Sequence, residues 1–476
     1  MFVNRIAKAA TGFFFHSALS GSSVRCAIGA PPERRGEALR YNGRMQAIAL
    51  PPGPAEGFDL GGNEESLDRL RDYFGRYGDI YRVFAPARGV YNYVINHPDD
   101  IKRVLLSNHR NYTKGEGMDR VKILLGNGIM TSEGEFWRRQ RRMMQPSFHR
   151  RVIDQFSALI KTVNERFAER WEAKAAQGES INLTDDVSEL TLDIVLRSIF
   201  GDDLDRLESL MGANPFEVVA KEQNRDLKFA FRFRSLTKLV LELINRRRRS
   251  LSQHFDFLGM LMATRDRETD QPMGDKELID EVLTLIVAGH ETTAAALTWT
   301  WYLVSRHPEA RAQLELEADR TPQDATLGLD AAESLTYTHQ VIQEALRLYP
   351  PGWLITRRTL EADELGGFPI APRTDVFISP YMLHRHPAFW SDPEVFQPER
   401  FTGIDAAERH KFSYIPFAVG PRHCIGENMA MFEMLVHVAA MSRRFTLTRA
   451  DDRPIEIEAQ INLRPRSNLM MTVKAR

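Results

Sequence analysis

The longest unbroken feature of the hydrophobic pattern is Val282–Val304, apolar nearly all round for 23 positions. A helix without a polar face is either a membrane span or the buried centre of a large protein. Thr284, His290, Glu291, Thr292, Thr293, Thr298 and Thr300 lie within it, a heavy polar load for lipid, so a buried helix is predicted. Asp275 is placed to cap its start and His307-Pro308 to stop it. Such a helix of some 32 residues would cross roughly 48 Å.

Elsewhere the pattern is shorter-ranged. A helix ends over Tyr73–Gly78, and the β-rich runs Ile80–Phe84 and Val90–Ile95 predict a hairpin around Pro86–Gly89. From His97-Pro98 to about residue 358 the periodicity is mostly helical, broken by glycines at 115–117, 126–128 and 134. A second β-rich section, 360–382, surrounds Gly366-Gly367, and Pro387–Pro398 shows little periodicity. There is no internal repeat and no linker after residue 54. The prediction is one domain over 51–476, mainly α with smaller β-sheets (α+β).

A chain of 476 residues that is 43% hydrophobic can bury a large core. Its net charge of −1 gives no general electrostatic case for nucleic acid or acidic lipid. Two cysteines, Cys26 and Cys424, cannot build a disulfide framework, so a reducing compartment is expected, and with it a cytoplasmic location. Residues 1–50 read as an N-terminal extension. They are either disordered or an upstream start ahead of a body beginning near Met45, with a cleaved targeting segment as the alternative. The apolar patch Gly12–Phe15 is too short to span a bilayer. Pro51-Pro52-Gly53-Pro54 marks entry to the folded body, which is expected to be soluble and monomeric.

Candidate chemistry concentrates at Phe417-Ala418-Val419-Gly420-Pro421-Arg422-His423-Cys424-Ile425-Gly426. Gly420 and Gly426 allow a tight turn and close approach, and Arg422 offers a cation beside the thiol. A helical pattern (Met429, Phe432, Leu435, Val436) opens just after Cys424. A helix N-terminus and a nearby cation both favour thiolate, the metal-binding form. A buried structural cysteine after a turn is the plainer alternative. A second cluster, Ala288-Gly289-His290-Glu291-Thr292-Thr293, puts an acid and a hydroxyl beside a helix backbone that Thr292 can distort.

The decamer resembles the heme-binding loop of the cytochrome P-450 family, Phe-x-x-Gly-x-Arg-x-Cys-x-Gly, with Ala418 where the family often has glycine. The resemblance extends over nearly all of residues 50–476 through five motifs in order. It implies the cytochrome P-450 fold, with the long helix crossing a buried heme b whose iron takes Cys424 as axial ligand. Phe417, Gly420, Arg422 and Gly426 would complete the loop. By the same resemblance Thr292 and Glu291 form the acid–alcohol pair that handles oxygen and relays protons. Glu344, Arg347 and Arg400 match the Glu-x-x-Arg and Pro-Glu-Arg-Phe motifs and imply a structural charge cluster. Trp137 and Arg141 match Trp-x-x-x-Arg and, with Arg358, imply heme-propionate contacts; Arg357 could replace Arg358 after a one-residue slip.

The activity implied is a monooxygenase that uses O2, with NAD(P)H electrons arriving indirectly through a ferredoxin or flavodoxin-type donor. Arg138, Arg139 and Arg142, followed by Arg150 and Arg151, would form its docking face or else a solvated surface. By the same resemblance the substrate pocket is expected at Ile129, Leu285, Ala288, Trp353 and Leu354, with Met130, Gly352 and Ile355 nearby. Its apolar character suits a fatty acid, terpenoid or polyketide-like molecule. Lys228, Arg232 and Arg234 could receive a carboxylate or be solvated, and Phe229, Phe231 and Phe233 could line the roof. A peroxide-driven enzyme, an isomerase or dehydratase, and a heme-thiolate sensor are the rival readings. No nucleic acid and no membrane span are expected.

Overall fold

The structure, a computed structural model, describes residues 49–221, 227–250, 254–321 and 326–476. The predicted extension, apart from its last two residues, and Cys26 lie outside them. The first helix, α1 (Ser66–Tyr77), buries Leu67, Leu70 and Tyr73. It stops at Gly78, where φ is +76°, a conformation that penalises any side chain. Strands β1 (Ile80–Ala85) and β2 (Val90–Ile95) then pair antiparallel, Ile80 opposite Ile95, as the alternating pattern predicts.

This hairpin belongs to a five-stranded sheet with β3 (Tyr112–Lys114), β4 (Ile355–Thr359) and β5 (Asp375–Ile378), in the order β1-β2-β5-β4-β3. Strands β3 and β4 fall where helix was predicted. Pro350-Pro351-Gly352 ends the preceding helix, and β-branched Ile355, Thr356 and Thr359 favour extended backbone. Runs of three to five residues are too short for periodicity to separate from helix. The hairpin Asp363–Leu365/Phe368–Ile370 turns on Gly366 and Gly367, both with positive φ.

The rest is mainly helical, as predicted. The helices that build the site are α2 (Met118–Leu125), α3 (Gly134–Met144), α4 (Ser157–Ala176), α5 (Leu183–Phe200), α6 (Leu227–Arg249), α7 (Asp275–Arg306), α8 (Thr336–Leu348) and α9 (Glu427–Arg444). Helix α7 is the predicted central one, and most of its length is buried. Its threonines neutralise their own polarity: Thr284, Thr292, Thr298 and Thr300 each donate to the carbonyl four residues back, at 2.7–2.8 Å. That bond lets a hydroxyl sit in an apolar core without an unpaired donor.

Asp275 is not the cap of α7. Gly274 occupies the N-cap, its N–H bonded to Glu277 at 2.9 Å, while Asp275 pairs with Arg248 at 2.5 Å. The contact of α7 with α5 explains Gly289: a Cβ there would lie 2.9 Å from Val195 Cγ2. The large core gathers around α4, α5, α7 and α9, and a smaller one lies between α1 and the five-stranded sheet. After α9 the strands Phe445–Arg449 and Met470–Ala475 form a sheet with Ser180–Asn182, the strand just before α5, and the hairpin Ile457–Ala459/Leu463–Pro465 lies between them in the chain.

Candidate active site

The cysteine loop closes on itself before α9 begins. Cys424 N–H donates to the Phe417 carbonyl at 2.9 Å, and His423 N–H to Gly420 at 3.0 Å. Gly420 has φ +79°, and a Cβ there would fall 2.1 Å from the Leu105 carbonyl oxygen. The close approach that glycine permits is therefore to the chain's own backbone. Ala418 also has positive φ, +58°, a region favourable to glycine and costly for alanine.

Gly426 caps α9, and the N–H groups of Gly426 and Glu427 bond toward the sulfur. The thiol is exposed, and it lines an internal face of a cavity. Burial pushes the Cys424 pKa up, and the Glu427 carboxylate adds to that. The Gly426 N–H, Arg141 and the Glu427 N–H pull it down. Arg422, expected beside the thiol, lies 4.0 Å over the Trp137 ring and bonds Ser132 O (3.0 Å) and Glu133. Arg141 supplies the cation that acts on the sulfur. It also donates to His423 O at 2.8 Å.

The cavity measures about 330 Å³, within the range of small-molecule sites. Cys424, Phe417 and Ile425 line it together with Leu285, Ala288 and Thr292 of α7. Gly352 and Ile355 also reach it; Trp353, Leu354 and Ile129 do not line it. Trp353 is buried and donates its indole N–H to Gln460 O at 2.9 Å. Leu354 packs in the smaller core, and Ile129 N–H bonds Glu281 at 2.8 Å. The alternation at 228–234 resolves in part: Phe229 and Phe233 are buried and stacked at 5.8 Å, while Arg232 and Arg234 are exposed. The side chains of Lys228 and Phe231 lie outside the described residues.

Glu291 does not share the Thr292 cavity. It lines a separate cleft of about 90 Å³ with Ser188, His290, Thr298 and Asn462, and accepts a bond from Asn462 Nδ2 at 3.0 Å. The acid and the alcohol, adjacent in sequence, thus open onto different spaces.

A cation cluster borders the cavity at Arg422. Burial and Arg422 push the Lys114 pKa down to about 7, and the same two causes bring Arg357 to about 10. Both also feel Glu133, the carboxylate bonded to Arg422. Arg358 is engaged elsewhere, bidentate to Asp375 at 2.9 and 2.8 Å. Strand period 2 puts Arg357 on the face of Ile355 and Arg358 on the other. Lys114 carries no motif, and only its alternation within β3, the neighbour of β4, could have signalled it. This excess of half-buried positive charge fits a group with two carboxylates. Together with a thiol that opens into the cavity, the residues fit an iron porphyrin.

Beneath the loop, Glu344 accepts from Arg347 Nε (2.7 Å) and Nη2 (2.8 Å) and from Arg400 Nε (3.0 Å). All three side chains are at most 3% exposed. Arg347 also donates to the carbonyls of His384, Pro393 and Val395, so every charge is paired and hydrogen-bonded, the condition for burying it.

The cationic surface is largely paired. Arg138 bonds Glu135, Arg139 bonds Glu277, Arg142 bonds Asp266 and Glu268, and Arg150 bonds Glu333 and Asp330. Arg151 and Arg267 have no ion pair among the described residues. Both line an open groove of about 1080 Å³ with Arg138, Arg141 and Arg142, which Pro421 of the cysteine loop and Asn428 of α9 also border.

Comparison with known proteins places this geometry. The sequence model of the cytochrome P450 family matches residues 53–473. Cyclooctatin synthase of Streptomyces melanosporofaciens is 34% identical over 415 residues, covering 83% of this chain and 87% of that protein. Cyclooctat-9-en-7-ol 5-monooxygenase of the same organism is 32% identical over 390 residues, covering 78% and 83%. The crystal structure of the cytochrome P450DA heme domain superposes with a TM-score of 0.78 at 25% identity, covering 90% of this chain and 98% of that one.

Proposed function

The chain belongs to the cytochrome P450 family of heme-thiolate monooxygenases, and on that premise we propose that it hydroxylates or epoxidises an apolar terpenoid in its Leu285–Ala288–Ile355 cavity. The observation that carries this reading is the shared cavity of Cys424 and Thr292, walled by apolar side chains. The substrate class rests on that wall and on the alicyclic alcohol named as the substrate of the similar 5-monooxygenase.

Cys424 would ligate the heme iron, with the Gly426 and Glu427 N–H groups and Arg141 favouring its thiolate. Trp137, Arg357, Arg422 and Lys114 would hold the two carboxylates, and Phe417 would pack by the thiolate. Bound there, heme supplies the redox iron at which dioxygen is activated. Thr292, its proton held by the Ala288 carbonyl, would present its hydroxyl oxygen to the cavity as an acceptor, and Glu291 would carry protons in from the solvent cleft. The apolar wall orients substrate and keeps water out. Glu344, Arg347 and Arg400 hold the loop's support and take no part in proton transfer.

Electrons come from a separate partner. We read the groove around Arg138, Arg142, Arg151 and Arg267 as the landing site of an acidic ferredoxin or flavodoxin-type protein reduced by NAD(P)H; Arg139, which does not line that groove, contributes less. No helix among the described residues is long and apolar enough to cross a membrane, and a cytoplasmic location fits the scarcity of cysteine. The test is turnover of cyclic terpenes, chosen by heme spin shift, with a surrogate ferredoxin system and isotopically labelled dioxygen. One labelled oxygen atom in the product is expected. Product formed only with hydrogen peroxide, or none without it, would contradict the reading.

A further inference from the structure

We propose that Asn462 is the positioning residue that holds Glu291 in the solvent cleft, and that the hairpin Ile457–Ala459/Leu463–Pro465 is the rigid arm carrying it. This rests on reading Glu291 as the proton carrier of the site. Asn462 lies at the hairpin tip, 171 residues from Glu291, and its Nδ2 donates to Glu291 Oε2 at 3.0 Å. Nothing in the local sequence requires that meeting; the hairpin is pinned to make it.

Trp353 Nε1 bonds Gln460 O at 2.9 Å, Trp299 Nε1 bonds Leu463 O at 3.1 Å, and Leu463 N–H bonds Pro351 O at 3.1 Å. Both indoles are buried, and Trp299 stacks on Tyr349 at 4.0 Å. Trp299 also lies on α7, the helix of Glu291, so arm and acid share one frame. An amide suits the task for a chemical reason. Its N–H donates to the carboxylate and its carbonyl accepts from the carboxylic acid, so the contact survives both protonation states. A lysine or arginine there would hold Glu291 ionised and impede its reprotonation.

The experiment compares wild-type holoenzyme with N462A, E291Q and the double variant, using a surrogate ferredoxin system and a cyclic terpene that shifts the heme spin state. The readouts are the share of reducing equivalents lost as hydrogen peroxide, the solvent isotope effect on turnover, and hydrogen exchange of residues 457–465. N462A should raise the peroxide share about three- to ten-fold and increase the isotope effect, because a proton donor out of place slows delivery. The double variant should be no worse than E291Q, and exchange at 457–465 should stay as in wild type, since Trp299 and Trp353 still hold the arm. N462D, which sets a second carboxylate against the first, should uncouple more strongly as pH rises. If N462A couples like wild type while E291Q does not, the positioning role is overturned. If exchange at 457–465 accelerates together with the peroxide share, the effect is structural and the proposal equally fails. E291Q with wild-type coupling would instead remove the proton-carrier reading on which the proposal stands.

Discussion

Arg357 and Arg358, neighbours in β4, serve opposite faces of the strand: Arg358 forms a bidentate pair with Asp375 directly across the sheet, while Arg357 shares the cavity-side field of Arg422 and Lys114. The two guanidiniums should therefore fail differently. Arg357→Leu is expected to lower heme retention while leaving the unfolding midpoint of the heme-free protein within a few degrees of wild type. Arg358→Leu strands Asp375, which Arg88 alone would then neutralise, and should cost about 1–3 kcal/mol with heme retained. Heme content after gel filtration, read beside denaturant melts, separates them.

Removing Glu344 would leave Arg347 and Arg400 buried against one another. Glu344→Ala should cost about 3–5 kcal/mol and yield protein that loses heme on dilution. Equilibrium denaturation and the ratio of heme to protein absorbance measure both effects.

Ala418 occupies the left-handed region at φ +58°. Ala418→Gly should relieve about 1 kcal/mol of backbone strain, partly offset by the extra freedom of the unfolded chain. A net gain of about 0.5 kcal/mol or slightly more is expected, read from urea midpoints at unchanged slope.

Glu281 is buried and bonded to Ile129 N–H, and burial pushes its pKa up to about 8. The folded state therefore keeps the proton that the unfolded state releases above its ordinary value. Stability is lost as pH rises from about 4.5 toward 8, and the loss then levels off. Glu281→Gln, neutral at every pH, should match wild type near pH 4.5 and exceed it increasingly up to about pH 8, by at most a few kcal/mol. Denaturation at several pH values checks the slope.

What the sequence disclosed was local. The existence of α7 and its end follow from a long apolar run with a proline stop, and the cysteine loop from ten consecutive residues. What it hid depends on register and on contacts between distant segments. One residue of strand register separates Arg357 from Arg358. The family resemblance puts Trp353 in the pocket, but its indole N–H is claimed by the hairpin 107 residues away. Gly420 reads as a point of close approach, yet what a Cβ there would meet is the chain's own Leu105, just as one on Gly289 would meet Val195. Lys114 was invisible because its significance comes from Arg422 and Glu133, which lie beside it only in the folded chain.

The central claim is that Cys424 ligates heme iron as thiolate, and the carbon monoxide difference spectrum of the reduced, purified protein tests it most directly. The long-wavelength Soret band of a thiolate-bound complex is expected, and Cys424→Ser should abolish it. A band only at the shorter wavelength of thiol or nitrogen ligation, or one unchanged in Cys424→Ser, would contradict the account.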